Sequence, residues 1–140
     1  MKKILILMML ALVGAGVAMA KKKAPGGKPD IVFAETTHDF GTISEDGGYV
    51  THEFTFTNTG TAPLVILGTS ASCGCTTPKA PKHPVAPGKS AKVAVTYSPK
   101  GRPGEFTKTV TVRSNVPGKK KSILTIKGFV KPGKTSNARK

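Results

Sequence analysis

The chain is poor in the side chains that most folds rely on for mass and chemistry. Its 140 residues include no tryptophan, two tyrosines and six phenylalanines, so aliphatic residues must supply most of any core. Two cysteines exclude a disulfide-dense framework and a self-contained four-cysteine zinc module. Seven scattered acids offer no evident pair for general acid and base work. There is no Gly-x-Ser-x-Gly elbow, no phosphate-cradling glycine loop and no His-Glu-x-x-His helix, which removes the commonest hydrolase, nucleotide and metalloprotease signatures. No stretch sustains helical periodicity. After residue 20 no segment is apolar enough to cross a bilayer, which takes about 20 residues.

What remains is strongly directional along the chain. Lys2 and Lys3, an apolar run from Ile4 to Val13, and Ala18-Met19-Ala20 make a positive, apolar and small-residue series. That is the pattern of a secretory signal peptide over residues 1–20, cleaved after Ala20. The expectation is an exported protein, periplasmic or secreted, with no transmembrane segment in the mature chain. Residues 21–29 and 131–140 have the Lys, Pro and Gly composition of a basic linker and a basic disordered tail. Between them, residues 30–130 are long enough for one modest domain with one core.

Charge is uneven. Residues 21–53 carry four lysines and six acids, whereas residues 54–140 carry sixteen Lys and Arg and the single acid Glu105. A basic face favours anionic surfaces and makes an anionic polymer a conceivable partner through the tail. The cations sit mostly in loops and tails with no aromatic stacking residues between them, so no specific nucleic-acid partner is expected.

Inside the domain the dominant period is two. Val50, His52, Phe54 and Phe56 share one side, as do Val93, Val95 and Tyr97, then Phe106, Val110 and Val112, then Leu124, Ile126 and Val130. Alternation of this kind marks half-buried strands. Ile31 to Glu35 reads as an opening strand, and the continuous run Leu64 to Leu67 as a strand covered on both sides. Turns fall at Glu45-Asp46-Gly47-Gly48, Asn58-Thr59-Gly60, Ala86-Pro87-Gly88-Lys89, residues 99–104 and Val116-Pro117-Gly118-Lys119. About seven short strands of this kind must bury their apolar faces against a second layer. The fold class is therefore all-β, an immunoglobulin-like antiparallel sandwich. Asn58 and Gly60 are read as turn formers that tolerate left-handed dihedrals, and Asp39-Phe40-Gly41 as a corner joining a core aromatic to a permissive glycine.

The chemistry-bearing segment is Ser72-Cys73-Gly74-Cys75-Thr76, at the end of a strand pattern and the start of a proline-rich loop. Residues i and i+2 of an extended chain point to the same side, so the two thiols are neighbours by construction. Three states are open. Export favours a Cys73–Cys75 disulfide. Two thiolates on one face suit copper or zinc, with His83, His52 or a second chain completing the set, and the same pair suits thiol-redox work. Packing as two small buried thiols is the third. His83, between Pro81-Lys82 and Pro84, belongs to a stiff exposed loop. His52 is read as a rim-facing residue, and His38 as part of the Asp39-Phe40-Gly41 corner.

Several of these segments, in this order, carry a resemblance. They are His38-Asp39-Phe40-Gly41-Thr42-Ile43, residues 52–60, Ala71-Ser72-Cys73-Gly74-Cys75-Thr76, Val85-Ala86-Pro87-Gly88, and Val95-Thr96-Tyr97-Ser98-Pro99-Lys100-Gly101. Together, over roughly residues 31–130, they resemble the bacterial domain of unknown function 1573. The resemblance implies an exported sandwich similar to major-sperm-protein, pilus-chaperone and cilia-associated domains, and it implies little about activity. The function expected is that of a non-enzymatic interaction or structural module. Its partner would be a protein or peptide of the cell envelope, met by sheet-edge pairing. The alternative is a metal-binding or thiol-redox protein using Cys73, Cys75 and His83.

Overall fold

The computed structural model describes residues 27–134. The expected leader, residues 1–20, lies outside them, as do most of the linker and residues 135–140. Eight strands follow in order: β1 Ile31–Phe33, β2 Thr37–Ser44, β3 Val50–Asn58, β4 Ile66–Ala71, β5 Thr76–Lys79, β6 Ser90–Tyr97, β7 Gly104–Ser114 and β8 Lys121–Lys131. They form two four-stranded sheets, β1-β3-β6-β5 and β2-β8-β7-β4. Every pairing is antiparallel except that of β2 with β8. The parallel pair arises because residues 34–36 carry the chain from the first sheet to the second. No helix among the described residues is long and apolar enough to cross a membrane.

The alternating residues face one another across the sandwich. Phe54, Phe56, Val93, Val95 and Tyr97 from the first sheet, and Phe106, Val110, Val112, Leu124, Ile126 and Val130 from the second, are buried together. Tyr97 stacks on Phe106 with ring centroids 4.1 Å apart, joining the two layers. Such a contact adds about 0.5–1.5 kcal/mol beyond the apolar area it buries. The Tyr97 hydroxyl is buried without a hydrogen-bond partner. Burial pushes its phenol pKa up, against a smaller opposing pull from Arg102.

Four local expectations change on contact with the structure. The run at Leu64 is not covered on both sides: Leu64 is fully buried in an isolated bridge with Val85, whereas Leu67 is 62% exposed on β4. Asp39-Phe40-Gly41 lies within a strand, at a bulge between Asp39 and Thr42, where Gly41 takes φ 67° and its N–H donates to Asp39 Oδ1 at 2.8 Å. Neither Asn58 nor Gly60 has positive φ. Asn58 instead commits its side chain to four hydrogen bonds. Oδ1 accepts from the N–H of Gly60 (3.0 Å) and Asp30 (3.3 Å), and Nδ2 donates to the carbonyls of Ala62 (2.8 Å) and Val85 (2.9 Å). Gly60 is there because residues 28–30 cross it, and a Cβ would overlap the Lys28 carbonyl oxygen and the Asp30 nitrogen. Finally, the start of the expected tail is held. Lys131 closes β8, and the N–H groups of Gly133 and Lys134 donate to Glu45 and Asp46 at 2.8 and 3.0 Å.

Candidate functional site

The segment Ser72–Cys75 is the turn that carries the chain from β4 in one sheet to β5 in the other. Ser72 extends the β4 ladder: its N–H donates to the Thr109 carbonyl at 2.9 Å, and its Oγ accepts from the Thr109 N–H at 3.1 Å. The Cys75 carbonyl accepts from Ser98 N–H at 2.9 Å, tying the other end of the turn to β6. Between these anchors Cys73 and Cys75 stand as a disulfide pair with Cα atoms 5.3 Å apart. Cys75 is buried in the core, Cys73 half-buried, and the Thr76 hydroxyl lies 3.8 and 3.7 Å from the two sulfurs. Gly74 points into open space with an ordinary φ, so no close approach demands a glycine there.

The expected third ligand does not join this pair. His83 is exposed on the Pro81–Pro84 loop ahead of the Leu64–Val85 bridge. Among the described residues, the group of metal-ligating side chains that comes together is Glu35, His38 and His52. His38 from β2 and His52 from β3 stack across the gap between the sheets, centroids 3.6 Å apart, and His52 Nε2 pairs with Glu35 Oε1. Desolvation, then the facing His52 ring, hold the His38 imidazole below its ordinary 6.5, against smaller opposing pulls from Glu35 and Asp39. No single segment of sequence reveals this group. The one available signal was His52 on the apolar side of its strand.

The turn at Ser72–Cys75 also ends a sheet edge. Four strands are edges: β1 and β5 of one sheet, β2 and β4 of the other. An edge presents backbone N–H and C=O groups to any strand that arrives, and natural sheets blunt their edges with short strands, proline, charge or bulges. β1 has three residues, β5 has four and includes Pro78 and Lys79, and β2 carries the bulge at Gly41. β4 is different. Its six residues, Ile66-Leu67-Gly68-Thr69-Ser70-Ala71, contain no charge and no proline, and the irregularity lies at its start, between Ile66 and Gly68. On the side away from β7 it has no strand partner among the described residues. Arg113 of β7 lies over Gly68, where a Cβ would come within 3.0 Å of its guanidinium.

Solved structures share this sandwich. The fold resembles that of a protein of unknown function from Porphyromonas gingivalis W83, with 17% identity and a TM-score of 0.61 over 79% of this chain. It also resembles the seventh ASH/PapD-like domain of human CEP192, with 14% identity and a TM-score of 0.57 over 76% of this chain and 89% of that one. The periplasmic chaperone SfaE is similar at 12% identity and a TM-score of 0.50, over 74% of this chain and 58% of that one. This chain spans half the length of the Porphyromonas protein. No curated protein matches it in sequence. A family described as "Protein of unknown function (DUF1573)" matches residues 31–130, the whole sandwich, and the chain belongs to that family.

Proposed function

We propose that the protein is an exported, non-enzymatic interaction module that takes an extended segment of a cell-envelope protein onto the open edge of β4. The carrying observation is that β4, alone among the four edges of the described residues, is longer than four residues and carries neither a charge nor a proline, its one irregularity lying at its start. An incoming strand would meet the outward backbone groups of Ile66–Ala71 and the exposed Leu67 side chain. Arg113 on the neighbouring strand, in register with Gly68, and Lys121 beyond it favour an uncharged or acidic segment. Four to six new ladder bonds contribute about 1 kcal/mol each, and burying Leu67 about 2 kcal/mol more. Set against the ordering of the segment, this gross gain of about 6–8 kcal/mol supports weak, transient binding, with a Kd well above the micromolar range.

The likeness to a periplasmic chaperone and to a PapD-like domain fits a protein-binding role, and the leader pattern fits export. The test is a pair of edge substitutions, Leu67→Lys and Ser70→Lys, each at an exposed position and each copying a natural blunting device. Both should leave the folding transition unchanged and abolish recovery of an envelope protein that wild type retains. Equal recovery by wild type and both variants would refute docking at β4.

A further inference from the structure

We propose that Glu35, His38 and His52 form a site for a divalent transition-metal ion of the zinc and copper class, independent of both the thiol pair and the β4 edge. One ligand atom from each of the three side chains lies within 4.8 Å of the other two. Two ligands sharing a tetrahedral ion at about 2.0–2.1 Å sit about 3.3 Å apart, so the set must contract by up to about 1.5 Å. The contraction is open to these side chains. His38 stands on an edge strand, Glu35 is exposed in the segment crossing between sheets, and a turn of each ring about its last side-chain torsion lets the stacked imidazoles converge.

Three further observations favour a site over a mere polar contact. The ligands come from three elements, β2 of one sheet, β3 of the other, and the crossing segment, so an ion would staple the two sheets. It would do so where support is thin. β1 ends at Phe33, opposite Phe56, and among the described residues no strand pairs with the first half of β3 on that side. The rings also rest on an apolar floor: Phe40 meets His38 edge-on at 4.7 Å, and Phe54 meets His52 edge-on at 4.8 Å. A floor of this kind limits where each imidazole swings and lowers the local dielectric. Two imidazoles and one carboxylate select borderline metals over magnesium and calcium, which prefer all-oxygen sites. Three protein ligands leave a fourth position for water or a donor from a partner.

The experiment uses the full chain with its disulfide intact, stripped with a chelator and titrated calorimetrically with Zn²⁺, Cu²⁺ and Mg²⁺ in turn. One equivalent of Zn²⁺ or Cu²⁺ should bind, with no saturable Mg²⁺ signal. His38→Ala and His52→Ala should each weaken binding by more than about tenfold, a loss of at least 1.4 kcal/mol. His83→Ala, which alters the remaining histidine, should change nothing. Should a histidine variant fold poorly, electron paramagnetic resonance of the Cu²⁺-loaded wild-type protein tests the same ligands, and hyperfine splitting from two nitrogens is expected. Absence of saturable binding, binding insensitive to His38 and His52, or binding that follows His83 or the cysteines would each overturn the proposal.

Discussion

Replacing Asn58 with alanine should cost the fold about 3–4 kcal/mol, far more than a turn residue would. The figure comes from the bonds themselves. Asn58 is fully buried, and its amide satisfies four backbone groups belonging to three segments of the chain. Truncation orphans the Ala62 carbonyl and the N–H groups of Gly60 and Asp30. The Val85 carbonyl keeps its second donor, the Leu64 N–H at 2.9 Å. Three orphaned groups at about 1 kcal/mol each, plus a small void, give the sum. Against a total stability of about 5–15 kcal/mol for a domain of this kind, that is a large fraction. Urea unfolding of the disulfide-intact protein should show a lowered midpoint with an unchanged slope. Asn58→Asp sharpens the test. It keeps the acceptor oxygen but turns the second oxygen toward the carbonyls of Ala62 and Val85. Its folded pKa is then raised, so the ionised form destabilises at neutral pH. Part of the loss should return as pH falls through that raised value, because a protonated carboxyl donates again. A loss below about 1 kcal/mol for Asn58→Ala, or an Asn58→Asp penalty independent of pH between about 4 and 7, would refute the account of this residue.

Three other outcomes follow from the same structure. Tyr97→Phe removes a buried hydroxyl with no partner and keeps the stack on Phe106, so stability should hold or rise by up to about 1 kcal/mol in urea, and a loss above about 2 kcal/mol would contradict it. For metal-free protein, the depressed His38 pKa means that the folded state prefers the neutral ring, through burial and the facing His52 ring and against the smaller pulls of Glu35 and Asp39. This contribution is present above pH 6.5 and lost as pH falls through the folded value, so thermal scans should show an acid-side decline that His38→Ala reduces. The Cys73–Cys75 pair closes a ring across one intervening residue, for which loop entropy extrapolates to about 1.5 kcal/mol. The Cys73→Ala/Cys75→Ala double variant should therefore remain folded with a modestly lowered urea midpoint, and failure to fold would show that the pair does more than pin a turn.

The strands that the sequence reveals are those with one wet face. β3, β6, β7 and β8 alternate cleanly because each packs one side on the core. β2 hides because the bulge at Gly41 breaks its period: His38 and Phe40 are two apart, and the next inward residue, Ile43, is three further on. β5 hides because Thr-Thr-Pro-Lys is short and contains proline, which reads as loop. The nearness of the two thiols was legible because one residue separates them, but they meet through a turn between β4 and β5 and not along an extended strand, and the turn was not legible. The histidine pair was not legible, because His38 and His52 belong to different sheets, and only the crossing at residues 34–36 brings them together. Asn58 was legible as punctuation but not in mechanism. The partners of its amide lie at Asp30, Ala62 and Val85, and no local pattern announces them.

Docking at β4 is tested most directly by placing a photo-crosslinking amino acid at Leu67, in the full-length protein in its own envelope, with Thr42 of β2 as the control position. Both side chains are exposed, and both belong to edge strands of the same sheet. A strand-docking module predicts a discrete adduct from position 67, joined to an extended segment of an exported protein and abolished by Ser70→Lys, with none from position 42. Adducts from position 42 alone, or a position-67 adduct that persists with Ser70→Lys, would contradict the account.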